Sequence, residues 1–112
     1  VIEVAGLSEG TQYQLYLALR LATIERYLEK SPPLPLVLDD LLLHFDDPRA
    51  RAAFEVLGEL AGRVQILFFT HLMRDLELAR QVVPHGRLFE HRLETSVPAR
   101  SAARARTRAK SA

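Results

Sequence analysis

Three short stretches of this 112-residue chain hold residues whose types and spacing suit chemistry. Asp39 and Asp40 are adjacent carboxylates that close the apolar run Leu34-Pro-Leu-Val-Leu38. Carboxylates at the carboxyl end of a central strand lie where open α/β sheets bind ligands. Asp is also common in a plain turn after a strand, but the apolar Leu41-Leu42-Leu43 that follows is poor turn material. His71 stands just past a second apolar run, Val64–Phe69, and is either a hydrogen-bonding core residue or a site residue. Leu7-Ser8-Glu9-Gly10-Thr11 opens a long amphipathic run. A serine there can cap a helix, and the free N–H groups with the helix dipole suit an anion.

The elements needed to position these residues follow from the pattern. A short strand is expected at Val1–Val4, then a turn at Ala5-Gly6 and a helix over Glu9–Glu29 with Leu15, Ala18, Leu19 and Ala22 on its buried face. Ser31-Pro32-Pro33 ends that helix, because proline lacks the N–H and clashes with the preceding turn. The run to Asp39-Asp40 and the run Val64–Phe69 are expected as buried parallel strands. Between them, Asp46 or Asp47 caps a helix over Pro48–Ala61 that buries Ala52, Ala53, Val56, Leu57 and Leu60, closed by Gly62. A helix over Met73–Gln81, a turn at Pro84-His85-Gly86 and a final edge strand at Arg87–Leu93 complete a β-α-β-α-β-α-β order. Such alternation with short loops builds an α/β fold with a mostly parallel sheet and flanking helices.

Composition bounds the function. The chain has no cysteine, which excludes disulfides and thiolate metal sites. No apolar run approaches the roughly 18–20 residues that cross a bilayer, so no membrane role and a cytoplasmic location are expected. Residues 1–96 hold ten Lys/Arg against all fourteen Asp/Glu, a net −4, and form the folded domain. Residues 97–112 carry five Lys/Arg and almost no large apolar side chains, the composition of a basic disordered tail suited to phosphate-backbone contact. The first residue is Val1, which suggests a fragment of a longer protein.

In this order the stretches resemble the motifs of ABC-type ATPase heads, nearest to the SMC, RecF and YhaN-like group with long coiled coils. Ser8-Glu9-Gly10-Thr11 with Gln14 looks like the signature motif and its helix; Leu36-Val-Leu-Asp39-Asp40 looks like the Walker B strand. Asp46 falls at the D-loop aspartate and Phe69-Thr70-His71 resembles the switch-histidine segment, so the likeness covers roughly Leu7 to Leu93. The resemblance implies the C-terminal part of a P-loop NTPase fold with ATP and Mg²⁺ as cofactors. Asp39 would hold Mg²⁺, Asp40 would activate water and His71 would contact the γ-phosphate. Ser8, Gly10 and Gln14 would meet the γ-phosphate held by an opposite head in a head–head dimer, and Asp46 would link the two sites. Work on DNA, in repair or chromosome maintenance, is also implied.

The chain departs from that pattern in informative places. Glu9 stands where the family often has glycine, and Asp40 where glutamate is frequent. No Gly-x-x-x-x-Gly-Lys-Ser/Thr stretch is present, nor a Q-loop or a heptad-patterned coil. Without that phosphate-cradling loop and its lysine, most of the binding energy for a triphosphate is missing. The expectation is therefore the C-terminal lobe of a head, partnered by an N-terminal Walker A lobe with its coil and inactive alone. Two other readings stand beside it. One is a non-catalytic interaction module. The other is a hydrolytic metal site built from Asp39, Asp40, His44, Asp46 and His71.

Overall fold

A computed structural model describes residues 6–94. The chain runs through α1 (Glu9–Leu28), β1 (Leu36–Asp39), α2 (Asp47–Leu60), β2 (Ile66–Phe69) and α3 (Met73–Val82), then a 3-10 turn at His85–Arg87. The strand expected at Val1–Val4 and the tail at 97–112 lie outside the described residues.

Helix α2 supplies half of the buried apolar side chains among the described residues, because its small and large apolar residues recur at helical spacing. Ala50, Ala53, Phe54, Leu57, Gly58 and Leu60 are buried, while Arg51, Glu55 and Glu59 face water. That stripe sits about one residue away from the expected one: Ala53, Leu57 and Leu60 are buried, but Ala52 and Val56 are exposed. Phe54 decides the rotation, since the stripe that includes it removes the larger apolar surface from water. Its ring meets Phe68 of β2 at 5.1 Å between centroids. Gly58 packs beside Val83 just past α3, where a Cβ would make ordinary contact at 3.5 Å from Val83 Cγ2. Helix α2 ends at Ala61 in ordinary right-handed conformation, so Gly62 does not close it through a left-handed cap.

The strands β1 and β2 pair in parallel, with Leu36 opposite Ile66 and Asp39 opposite Phe69. This is a β-α-β unit, as the sequence pattern requires. Both strands are half-buried rather than wholly buried. Leu36, Leu38, Ile66 and Phe68 turn inward, whereas Val37, Leu67 and Phe69 remain exposed, Val37 by 60%. One face of the sheet is covered by the core and the other is not.

Two further expectations are corrected. Along α1 it is Leu17 that is buried, with Leu21, Ile24 and Leu28 partly covered; Leu15, Ala18, Leu19 and Ala22 are exposed. The segment Arg87–Leu93 forms no strand, because its alternating residues find no ladder partner among the described residues. It is held instead by side chains: the Arg87 guanidinium donates to the Gly58 carbonyl at 3.1 Å, and Arg80 makes a two-pronged contact with Glu90 at 2.6 and 2.7 Å. The hydrogen bonds from Arg80 hold the Glu90 carboxyl below the usual carboxylate range.

Candidate functional site

The parallel register brings the two strand ends level, and the chemistry-bearing residues emerge there. Asp39 ends β1 opposite Phe69, the last residue of β2. Asp40 extends the ladder by one bond, its N–H donating to the Phe69 carbonyl at 2.9 Å. It then turns the chain sharply, with φ at 45°, alone in positive φ among the described non-glycine residues. Asp tolerates this left-handed conformation better than most side chains, at a cost of about 1–2 kcal/mol. In that posture its Oδ1 lies 3.0 Å from Nδ1 of His71. With Asp40 ionised, Nδ1 carries the proton and donates it, which leaves Nε2 free on an imidazole that is 65% exposed. Asp39 is exposed beside this pair and has no side-chain partner among the described residues.

A second group forms where α1 begins. Ser8 is its N-cap, with Oγ accepting from the Thr11 N–H at 3.3 Å and lying 2.7 Å from Thr11 Oγ1. The Gln12 side-chain amide donates to the Leu7 carbonyl at 2.9 Å and fixes the approach to the helix. Asp46 caps α2 by accepting from the Arg49 N–H at 3.0 Å, with Pro48 in the first turn. Removing that cap in Asp46→Ala is expected to destabilise the fold by about 1 kcal/mol, read as a lowered urea midpoint. Arg49 joins the two helix starts: its guanidinium lies 3.7 Å from Asp46 and donates to Thr11 Oγ1 at 3.2 Å. A Cβ on Gly10 would sit 2.5 Å from Arg49 Nη1, so the missing side chain is what lets the arginine reach across. Tyr13 stacks on His44 with ring centroids 4.6 Å apart.

A buried carboxylate and a half-buried guanidinium connect the loop between Asp40 and Asp46 with the His71 segment. Arg74, near the start of α3, donates to the Phe45 carbonyl at 2.6 Å and to the Leu42 carbonyl at 2.9 Å. The same guanidinium contacts Asp75 Oδ1 at 3.2 and 3.3 Å, while Thr70 Oγ1 donates to Asp75 Oδ2 at 2.8 Å. Asp75 is 1% exposed and Leu42 is fully buried. Leu41-Leu42-Leu43 is therefore apolar because the middle leucine is core and its neighbours flank it.

The structure thus assembles Asp40 with His71, and Gly10 with the Asp46–Arg49 pair. Gln14 is exposed on α1, with no side-chain hydrogen bond among the described residues. Asp39, Asp40, His44, Asp46 and His71 do not gather into one metal cage: no group of three such ligands converges among the described residues. The independent hydrolytic metal site is therefore not built, since Asp46 is committed to α2 and His44 to Tyr13. A magnesium ion held by one carboxylate and substrate phosphates needs no such cage, and the exposed Asp39 fits that donor set. Arg49, Arg74 and Asp75 were not singled out from sequence, and Thr70 only as part of the Phe69-Thr70-His71 stretch. Asp75 alone left a trace there, as a carboxylate on the Leu72, Ala79 and Val82 side of α3.

No protein-family model matches the chain. It is 46% identical over 72 residues, 62% of its length, to the uncharacterized protein YhaN of Bacillus subtilis (strain 168). It spans 7% of the length of that relative. A chain from a structural study of ATP-driven dimerization and DNA-stimulated activation of SMC ATPases superimposes with a TM-score of 0.61 at 14% identity. That match covers 96% of this chain and 64% of the solved one. Among the described residues no helix is long and apolar enough to cross a membrane. The sequence is therefore related to a segment of YhaN, and the fold is shared with part of an SMC ATPase.

Proposed function

We propose that the chain is the C-terminal lobe of an ATP-binding and ATP-hydrolysing head of the SMC, RecF and YhaN-like kind. The observation that carries this reading is the Asp40–His71 contact of 3.0 Å at the carboxyl ends of two parallel strands, next to exposed Asp39. Asp39 would hold Mg²⁺, which would offset the negative charge of the phosphates. Asp40 orients the attacking water and accepts its proton as the bond to the γ-phosphorus forms. His71 keeps Asp40 in place through Nδ1 and contacts the γ-phosphate. Ser8, Gly10 and Gln14, with the free N–H groups of the first turn of α1, meet the γ-phosphate bound to an opposite head. Asp46, tied to that turn through Arg49 and Thr11, relays between the two sites of the head–head dimer.

The missing Walker A loop belongs to an N-terminal lobe with its coiled coil. The exposed apolar side of the sheet, Val37, Leu67 and Phe69, supports a lobe that is completed by further protein. DNA is the polymer on which the complete head acts, in repair or chromosome maintenance, and the basic residues 97–112 supply a contact to its phosphates. The same exposed face also favours a second reading, a non-catalytic interaction module on a truncated lobe. The two readings differ in a simple assay. The 112-residue chain alone is expected to show no ATP turnover and no tight ATP binding by calorimetry, with turnover appearing when the N-terminal lobe is added. Appreciable turnover by the lone chain contradicts the split-head reading; a stable complex with the N-terminal lobe that stays inactive favours the module.

A further inference from the structure

Arg74 and Asp75 lie outside every motif-like stretch, yet they form the most buried polar connection described. A buried carboxylate against a guanidinium is costly unless both are fully satisfied. Here no buried side-chain nitrogen or oxygen lacks a partner among the described residues. Asp75 receives Thr70 Oγ1 on one oxygen and the Arg74 guanidinium on the other. Thr70 Oγ1 in turn accepts the Leu72 N–H at 3.1 Å. The segment carrying His71 is thus pinned on both sides of the histidine.

The Arg74 guanidinium is the part that crosses. Its two terminal nitrogens take the carbonyls of Leu42 and Phe45, the two buried residues of the loop between Asp40 and Asp46. Only a planar fork with separated donors bonds both carbonyls and the carboxylate together; a lysine ammonium cannot span them in one geometry. The loop's own bonds are few, with the Leu43 N–H on the Asp40 carbonyl at a long 3.3 Å and the Phe45 N–H on the Leu42 carbonyl at 3.0 Å.

We propose that Arg74 and Asp75 are positioning residues, a brace that makes Asp40, Asp46 and His71 move as one unit. Its catalytic consequence rests on the ATPase reading above, whereas the brace itself does not. In that setting the brace keeps Asp40 aimed at its water while Asp46 reports on the opposite head. Small displacements matter here, because a misplacement of about 1 Å at a reacting group lowers rate by about a hundredfold.

Two measurements on Arg74→Lys and Asp75→Asn test this. The first is amide hydrogen exchange in the 112-residue chain. Exchange at Leu43 and Phe45 is expected to rise about tenfold, the loss of a charge-assisted hydrogen bond, while Ala53 and Leu57 in α2 stay unchanged. The second is ATP turnover by a head completed with its N-terminal lobe, where kcat is expected to fall about 10–100-fold with KM within about twofold. Loop exchange that stays at the wild-type rate, or that rises only together with α2, overturns the brace. A loosened loop with unchanged kcat overturns its positioning role. An inactive wild-type head overturns the ATPase reading and this catalytic role with it, and the exchange result still decides the brace.

Discussion

Asp40→Asn in a completed head is expected to lower ATP turnover by about 10²–10⁴-fold, the span a positioned general base supplies, while ATP binding persists. Asparagine is the informative replacement because of the backbone. Asp40 sits at φ 45°, a conformation that asparagine accepts and a β-branched residue resists. The amide keeps the size of the side chain and a hydrogen-bonding oxygen for His71 Nδ1, but it does not take a proton from water. Rapid-quench turnover and equilibrium nucleotide binding, measured on the same preparation, separate the two effects. Loss of binding together with turnover shows that the substitution damaged the site, whereas wild-type turnover removes Asp40 from the chemistry.

The second large effect concerns stability. Leu42→Ala is expected to destabilise the 112-residue chain by about 2–5 kcal/mol, measured by urea unfolding. Leu42 is fully buried and packs in the cluster with Phe45, Ala50, Phe54 and Leu57. Truncation removes its transfer energy and leaves a cavity beneath the loop that Arg74 holds. Domains of this size are stable by only about 5–15 kcal/mol, so the variant loses a large share of its margin. Leu43→Ala, one residue along and 45% exposed, is the control and is expected to change stability by less than about 1 kcal/mol. Equal effects at the two positions contradict the burial described.

Much of this arrangement is legible in the chain itself. Asp39 and His71 each follow a short apolar run, and parallel pairing of those runs puts Asp40 beside His71. Ser8, and Asp46 as one of two candidates with Asp47, were legible as caps because a short oxygen side chain before an apolar-periodic run answers the free N–H groups of a helix start. The buried face of α1 was not legible. Leucines at 15, 17, 19 and 21 stand at every second position, which spreads them around a helix and leaves its periodicity ambiguous. Only contact with the core selects Leu17 and Leu21. The alternation in Arg87–Leu93 misled for a related reason: a strand is defined by its partner, and none pairs with that segment among the described residues. Arg49 and Arg74 act across 38 and 29–32 residues of sequence, distances over which local pattern carries no signal.

Whether these residues complete an ATPase head is read from hydrolysis of ATP by this lobe joined to its N-terminal lobe. Mg²⁺-dependent turnover is expected to rise more than linearly with head concentration, as two heads close on the nucleotide, and Asp40→Asn is expected to stall with ATP bound. A joined head that folds and yet neither binds nor hydrolyses ATP rules out the ATPase head and leaves the interaction module as the better description.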